Sequence, residues 1–429
     1  MYLIGEKSKI ALLYLVVVGN FLLLVSPGFD GPAQFYYDEN LLGWSAAAIS
    51  HMVWGLGVTK GQIAFFTDDW AANIFTLMGR PDALQTILDR TRNASGLYFL
   101  GRYPPGIALT LFSFFSILGL HFWVARLTTS IFHVGSLILF TFNLHRHTKK
   151  YSLALIGGLV FSSVPMSSYF GRLVDTIIPA LFFMTLGATF YSNSFDCKNS
   201  ARRLGPALVC ICVACFYNWV GFILFLLILL WELLRKDRSL KAIFAGAILM
   251  FSVLVSLILP LTMLGVSLGG YQGSTIVNNF LAMFTIFLHR TFLRTQDDSG
   301  VTFTRLQQIS KFLQVNVWGF TLLVPLLAAC GLLLWMKRDT RAPLTYAGRV
   351  NGMLSVMGVV WVLLMAQGVY VHMYYQYFLL PGEVFFASVL LDRVHSLERR
   401  FRWLSGLSVT IIILAVYYLS RLTIFGAFL

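Results

Sequence analysis

The stretch that decides the fold is GIALTLFSFFSILGLHFWVA, residues 106–125. It is apolar enough to cross a bilayer, and if it crossed, every later loop would change sides. The rest of the chain supplies the test. Hydrophobic residues make up 58% of the 429 and charged residues only 12%. Apolar runs recur along nearly the whole length, the pattern of a polytopic membrane protein, which excludes a soluble fold. They lie near 10–25, 127–143, 151–167, 176–191, 204–217, 219–234, 240–263, 315–336, 350–367, 377–391 and 405–425.

Between these runs fall five basic patches: HRHTKK from His145, CKNSARR from Cys197, RKDRSLK from Arg235, KRDTRAP from Lys337 and DRVHSLERRFR from Asp392. Alternate connections are poor in Lys and Arg. Starting from Lys7 and Lys9 inside, eleven crossings place all five patches on the cytoplasmic side, as the positive-inside rule requires. A crossing at 106–125 would break that alternation, so the stretch reads as a non-crossing interfacial or re-entrant helix. The fold class is therefore all-α, a polytopic membrane protein of about eleven helices, with 10–13 as the range. Residues 1–429 form one transmembrane domain. A first outer loop at 26–126 carries interfacial helices, and a second spans 264–314.

Several runs are shorter than the ~20 residues of a full span, so helices must tilt or extend into polar flanks. YNW at 217–219 reads as a tight outward turn. Residues 1–25 resemble a signal peptide, but SPGFDGP offers a poor cleavage site, so they read as a retained first helix. The net charge of +14 resides in loops rather than in a nucleic-acid patch. Of Cys197, Cys210, Cys212, Cys215 and Cys330, four fall within or beside apolar runs, where they read as small packing residues rather than a disulfide framework or thiolate metal site.

Polar chemistry concentrates on the outward side: Asp38, Glu39, Asp68, Asp69, Arg102, Arg172, Asp175, His289, Arg290, Arg294, Asp297, Asp298 and His372. Charges near membrane depth are expensive unless they line a wet cavity or pair. In SSYFGRLVDTIIP, Arg172 and Asp175 are i and i+3 at the mouth of a span, either pairing with each other or facing the loop carboxylates. The structural alternative is a capping Asp and a snorkelling Arg. In YVHMYYQYFLLPGE, His372 and the tyrosines, Tyr375 among them, form an outer aromatic belt before Pro381, which fits an interface belt or a binding site. GRYPPG at 101–106 stiffens the start of the apolar 106–125 segment. The pairs Asp68–Asp69 and Asp297–Asp298 read as solvated turns, with a divalent metal as the alternative; nothing else in the sequence calls for a cofactor. Asn93 lies in a glycosylation sequon. His51, Lys60, Arg80, Arg90 and Arg92 read as solvated faces of interfacial helices.

In order and spacing, YYDENLLG after the first helix, YPPG before an apolar helix, ARLTTSIFHVGSLILF before a basic loop, GRLVDTIIPALFF and HMYYQYFLLPG resemble a family. It is the GT-C class of integral-membrane glycosyltransferases, and within it the protein O-mannosyltransferases and the lipid A aminoarabinose transferase. The resemblance implies a sugar donor on a polyprenyl phosphate and a lipid, glycan or protein acceptor at the outer membrane face. It implies no nucleic-acid partner. It carries acidic functional positions onto Asp38 and Glu39 and onto Asp175. Two departures stand out: no soluble domain follows the helices, and Gly follows YPP where a bulkier residue is expected.

The chemistry supports the same roles. A carboxylate, best Asp38, takes the proton from the attacking hydroxyl or amine. Glu39 orients Asp38 or the sugar, because neighbours on a helix point about 100° apart. Arg102, Arg172, His289, Arg290 and Arg294 are candidates to hold the lipid phosphate, with His372 and Tyr375 at the sugar. One base and direct displacement give inversion, whereas Asp175 as nucleophile would give a covalent route. The rival functions are a flippase or transporter of lipid-linked sugar and a noncatalytic subunit of a membrane complex. A bacterial inner membrane is favoured over the endoplasmic reticulum.

Overall fold

The computed structural model describes residues 6–26, 29, 38–66, 97–99, 103–194, 200–234, 240–264, 275–279, 281, 304–321, 323–336, 346–365, 373–395 and 402–426. In chain order the helices are α1 (Glu6–Val25), α2 (Asp38–Thr59), α3 (Gly106–Leu118), α4 (Phe122–Thr148), α5 (Tyr151–Ser163), α6 (Ile177–Ser194) and α7 (Ser200–Tyr217). They continue as α8 (Val220–Leu234), α9 (Leu240–Met263), α10 (Arg305–Phe320), α11 (Leu323–Met336), α12 (Tyr346–Leu364), α13 (Leu380–His395) and α14 (Arg402–Gly426). The protein is an all-α integral membrane protein. A two-stranded antiparallel ribbon, β1 (Ala64–Phe66) with β2 (Leu97–Phe99), lies between α2 and α3.

Among the described residues, Glu6–Val25, Phe122–Arg146 and Ile243–Met263 are long and apolar enough to cross a membrane alone, and α5 passes the same test only together with the turn after it, from which it is bent by 65°. The remaining apolar helices are shorter, as the sequence runs suggest. Residues 106–125 split at Gly119, whose φ of +85° lies in the region open to glycine, into α3 and the start of α4. At thirteen residues α3 rises about 20 Å, short of the ~30 Å hydrocarbon core.

Side-chain bonds test the alternation of sides. If the parity is right, the end of α1, the starts of α3, α4 and α6, and the ends of α5 and α7 all share the outer side. They do meet: Arg126 near the start of α4 bonds the Phe29 carbonyl beyond α1, and Arg172 beyond α5 bonds the Val25 carbonyl at the end of α1. Thr110 on α3 meets Tyr217 at the end of α7. At the opposite ends, Lys150 before α5 pairs with Asp392 late in α13 at 2.7 Å. Tyr191 late in α6 likewise bonds Glu232 late in α8. Two separate layers of polar contacts thus cap one apolar bundle.

Two spans depart from the reading above. The single run expected at 315–336 is two helices. Thr304 and Gln307 form a capping box that starts α10, and Thr321 at φ +61° breaks the chain before α11. The run expected at 377–391 begins instead as a 3-10 segment, Met373–Leu379, before α13 takes over with Pro381 in its first turn.

Candidate functional site

The site is built around Asp175, which lies in the connection between α5 and α6. Val164 leaves the helix with extended backbone, a four-residue turn at Pro165–Ser168 and a 3-10 turn at Phe170–Arg172 follow, and Asp175 then caps α6. Its Oδ1 accepts the Ile177 backbone N–H at 3.0 Å and the Thr176 hydroxyl at 3.2 Å. The Trp44 side chain of α2, whose only donor is the indole N–H, also favours the ionised carboxyl. Asp175 is 5% exposed, and burial lifts its carboxyl to about 6, with these donors pulling the other way.

The bonds extend outward from that carboxylate. Thr176 Oγ1 gives its proton to Asp175 and accepts from Asn218 Nδ2 at 2.9 Å. Asn218 lies in the YNW turn between α7 and α8 and caps α8 by accepting the Val220 N–H. One residue earlier, the Tyr217 hydroxyl lies 2.8 Å from Thr110 Oγ1, whose own proton goes to the Gly106 carbonyl, so Tyr217 is the donor. A Cβ on Gly106 would strike the Phe216 carbonyl. Close docking of α3 on the end of α7 thus explains glycine after YPP. Trp44 also meets Tyr103 of the YPPG motif edge to face, with ring centroids 5.7 Å apart.

Asp38 opens α2 six residues before Trp44, a rise of about 9 Å. The helix that starts with the acidic pair is therefore the one whose Trp44 interacts with Asp175. The side chains of Asp38 and Glu39 lie outside the described residues, as do Arg102, His289, Arg290, Arg294, His372, Asp68, Asp69, Asp297, Asp298, Arg80, Arg90, Arg92 and Asn93.

Arg172 is buried rather than snorkelling, and its Nη1 donates to the Val25 carbonyl at 2.9 Å, a cation at a helix C-terminus. The described bonds of Arg172 and Asp175 thus run to other elements instead of to each other. Tyr375 is buried edge to face against Trp361. His51 corrects the reading of a solvated face: it is 1% exposed, its Nδ1 lies 2.9 Å from Thr59 Oγ1 and its ring packs on Phe112 of α3. Burial lowers it to about 4, so it is neutral at pH 7. Lys60 is exposed as expected.

Residue-by-residue reading missed several members. Arg126 is buried and donates to the Phe29 carbonyl at 2.9 Å, nine residues before Asp38. Around the 3-10 segment Met373–Leu379, Tyr377 bonds His133, which also lies 2.7 Å from Ser167 Oγ. Asn316 Nδ2 donates to Glu383 at 2.7 Å and to Gln376 at 3.2 Å. This second polar group holds the HMYYQYFLLPG motif against α4 and α10.

The carboxylate environment makes a testable statement independent of function. With its pKa raised to about 6, folded Asp175 holds a proton that the unfolded chain has released. Asp175 therefore lowers stability as pH rises from about 4 to about 6. Trp44→Phe removes a donor to the ionised form, so this decline should extend to higher pH. Thermal melts of the purified protein between pH 4 and 8 check this, with Asp175→Asn as the variant that removes the decline.

No protein-family model matches the sequence, and no curated protein matches it. Solved structures do. The lipid-bound ArnT of Cupriavidus metallidurans, in complex with undecaprenyl phosphate, superposes with a TM-score of 0.61 at 16% identity, over 95% of this chain and 64% of that one. Its apo form gives 0.56 at 14%, over 98% and 76%. The archaeal oligosaccharyltransferase AglB of Archaeoglobus fulgidus, in complex with an inhibitory peptide and a dolichol-phosphate, gives 0.55 at 11%, over 97% and 55%. The chain spans about two thirds of the lipid-bound ArnT, and at these identities the likeness is one of fold. Nearly the whole chain therefore has the fold of these membrane glycosyltransferases, the architecture implied by the aminoarabinose-transferase resemblance.

Proposed function

We propose that this protein transfers a sugar from a polyprenyl-phosphate carrier to an acceptor at the outer face of the membrane. The observation that carries the reading is the buried Asp175 carboxylate and its interaction with Trp44. That interaction joins the mouth of α6 to the helix that begins with Asp38 and Glu39, in a fold whose neighbours were solved with undecaprenyl phosphate and dolichol-phosphate. A buried carboxylate that costs stability when ionised is a mark of function rather than of packing.

In the proposed reaction Asp38 accepts the proton of the acceptor hydroxyl or amine as that atom attacks the anomeric carbon. The new bond forms as the bond from the anomeric carbon to the phosphate oxygen breaks, and the lipid phosphate leaves with the electron pair. A single displacement inverts the anomeric centre. Glu39 orients the sugar or Asp38, and Asp175 fixes the position of α2 through Trp44. Arg172 holds the phosphate side of the site, with Arg102, His289, Arg290 and Arg294 as its partners in charge. His372 and Tyr375 flank the sugar. The acceptor is a lipid, glycan or protein, and a bacterial inner membrane is the favoured location.

Deleting the gene tests this. Cells without the protein should accumulate a polyprenyl-phosphate sugar and lose the same sugar from an envelope lipid or glycan, both read by mass spectrometry of lipid extracts. Loss of neither overturns the proposal.

A further inference from the structure

A groove of about 670 Å³ lies between α1, α5 and α14. Leu155, Ile156, Leu159, Val409, Ile413 and Leu414 make half of its lining, with Asn20, Ser163, Thr410 and Tyr417 among the rest, and the volume is that of a ligand site. None of its lining residues belongs to the polar cluster around Asp175, and it requires nothing of the proposed reaction.

Its two ends differ. Along α5 the lining runs from Ser152 to Ser163, a rise of about 16 Å, a little over half of the ~30 Å bilayer core. Beyond Ser163 the chain bends by 65° into the turn at Pro165–Ser168, which packs against α14, and the lining stops. The other end opens at the cytoplasmic side beside Ser152 and His395. There Lys149 and Lys150 flank the start of α5, Arg393 lies exposed at the end of α13, and Lys7 and Lys9 stand on the first turns of α1. Among the described residues the acids at this end are Asp392, which holds Lys150 at 2.7 Å, and Glu6. The combination is an apolar slot one leaflet deep with a cationic mouth.

We propose that this groove binds an anionic phospholipid of the cytoplasmic leaflet, one acyl chain lying between α5 and α14 and its phosphate headgroup at the Lys149, Arg393 and His395 mouth. Charge selects the occupant, because a basic pocket between transmembrane helices on the cytoplasmic side fits a phosphate headgroup. The apolar wall then holds the chain. The lipid would bridge α14 to α5 and so fasten the last helix of the chain to the body of the bundle.

The test uses the full-length protein purified in detergent and stripped of lipid. Melting temperatures are measured with dioleoylphosphatidylglycerol, dioleoylphosphatidylcholine, undecaprenyl phosphate or inorganic phosphate, and native mass spectrometry counts bound lipid. Phosphatidylglycerol should raise the melting temperature and remain bound where phosphatidylcholine does not, and inorganic phosphate should do neither. Leu159→Trp with Ile413→Trp fills the groove and should remove the difference. Arg393→Glu changes only an exposed side chain, so it keeps the test valid if the filled variant does not fold. It should weaken phosphatidylglycerol binding roughly tenfold. Equal stabilisation by the two phospholipids, undecaprenyl phosphate binding here in preference to phosphatidylglycerol, or an unchanged response in a folded groove-filled variant would overturn the proposal.

Discussion

Asp175→Asn should lower sugar transfer by at least about 100-fold while leaving the protein no less stable at pH 8, an opposition that packing residues do not show. The stability half follows from burial. At pH 8 the native carboxyl is ionised in a site that raises it to about 6, a penalty on the order of 2–3 kcal/mol. An asparagine keeps an oxygen for the Ile177 N–H and carries no charge, so the penalty disappears. The activity half follows from position: the same side chain holds Trp44 and with it α2. Transfer assays and thermal melts on one preparation check both halves. A variant that loses stability and activity together would make Asp175 a plain helix cap.

Arg126→Leu is expected to have the largest effect on stability. Arg126 is 1% exposed and its guanidinium satisfies the Phe29 carbonyl. Leucine fills part of the volume but orphans that carbonyl, a loss of about 1–3 kcal/mol, and the unfilled space adds to it. Arg126→Lys restores charge without the planar fork and should recover only part of the loss. Thermal melts in one detergent order the three proteins as Arg, then Lys, then Leu. Equal melting temperatures would show that the segment beyond α1 is held by other contacts.

Much of this architecture was legible because membrane orientation leaves charges in loops. The five basic patches set the expected parity, and parity, rather than hydropathy, argued against a crossing at 106–125; α3 is a thirteen-residue helix, as short as α5. The YNW turn was readable from Asn218 and Gly221, and its Asn proved to be part of the polar network. Arg126 was not readable, because an arginine near the start of an apolar run looks the same whether it snorkels or reaches across to another element. His51 failed in the opposite direction: in an interfacial helix a histidine suggests solvent, but α3 covers it. The break at Thr321 did have a signal upstream, the Thr304–Gln307 capping box, which sets the start of α10 well before the apolar run begins. Trp44 had none, since the partner that gives it meaning lies 131 residues away in sequence.

Comparative mass spectrometry of envelope lipids and glycans from three strains decides whether Asp38 is the base of a sugar transfer. They carry the native gene, a deletion, or Asp38→Asn at matched protein level. The account predicts that deletion and Asp38→Asn lose the same sugar mass and accumulate the same polyprenyl-phosphate sugar, which would name both sugar and acceptor. If deletion changes the glycans and Asp38→Asn does not, the carboxylate is no base, and a role in moving lipid-linked sugar or in supporting a membrane complex takes the place of transfer.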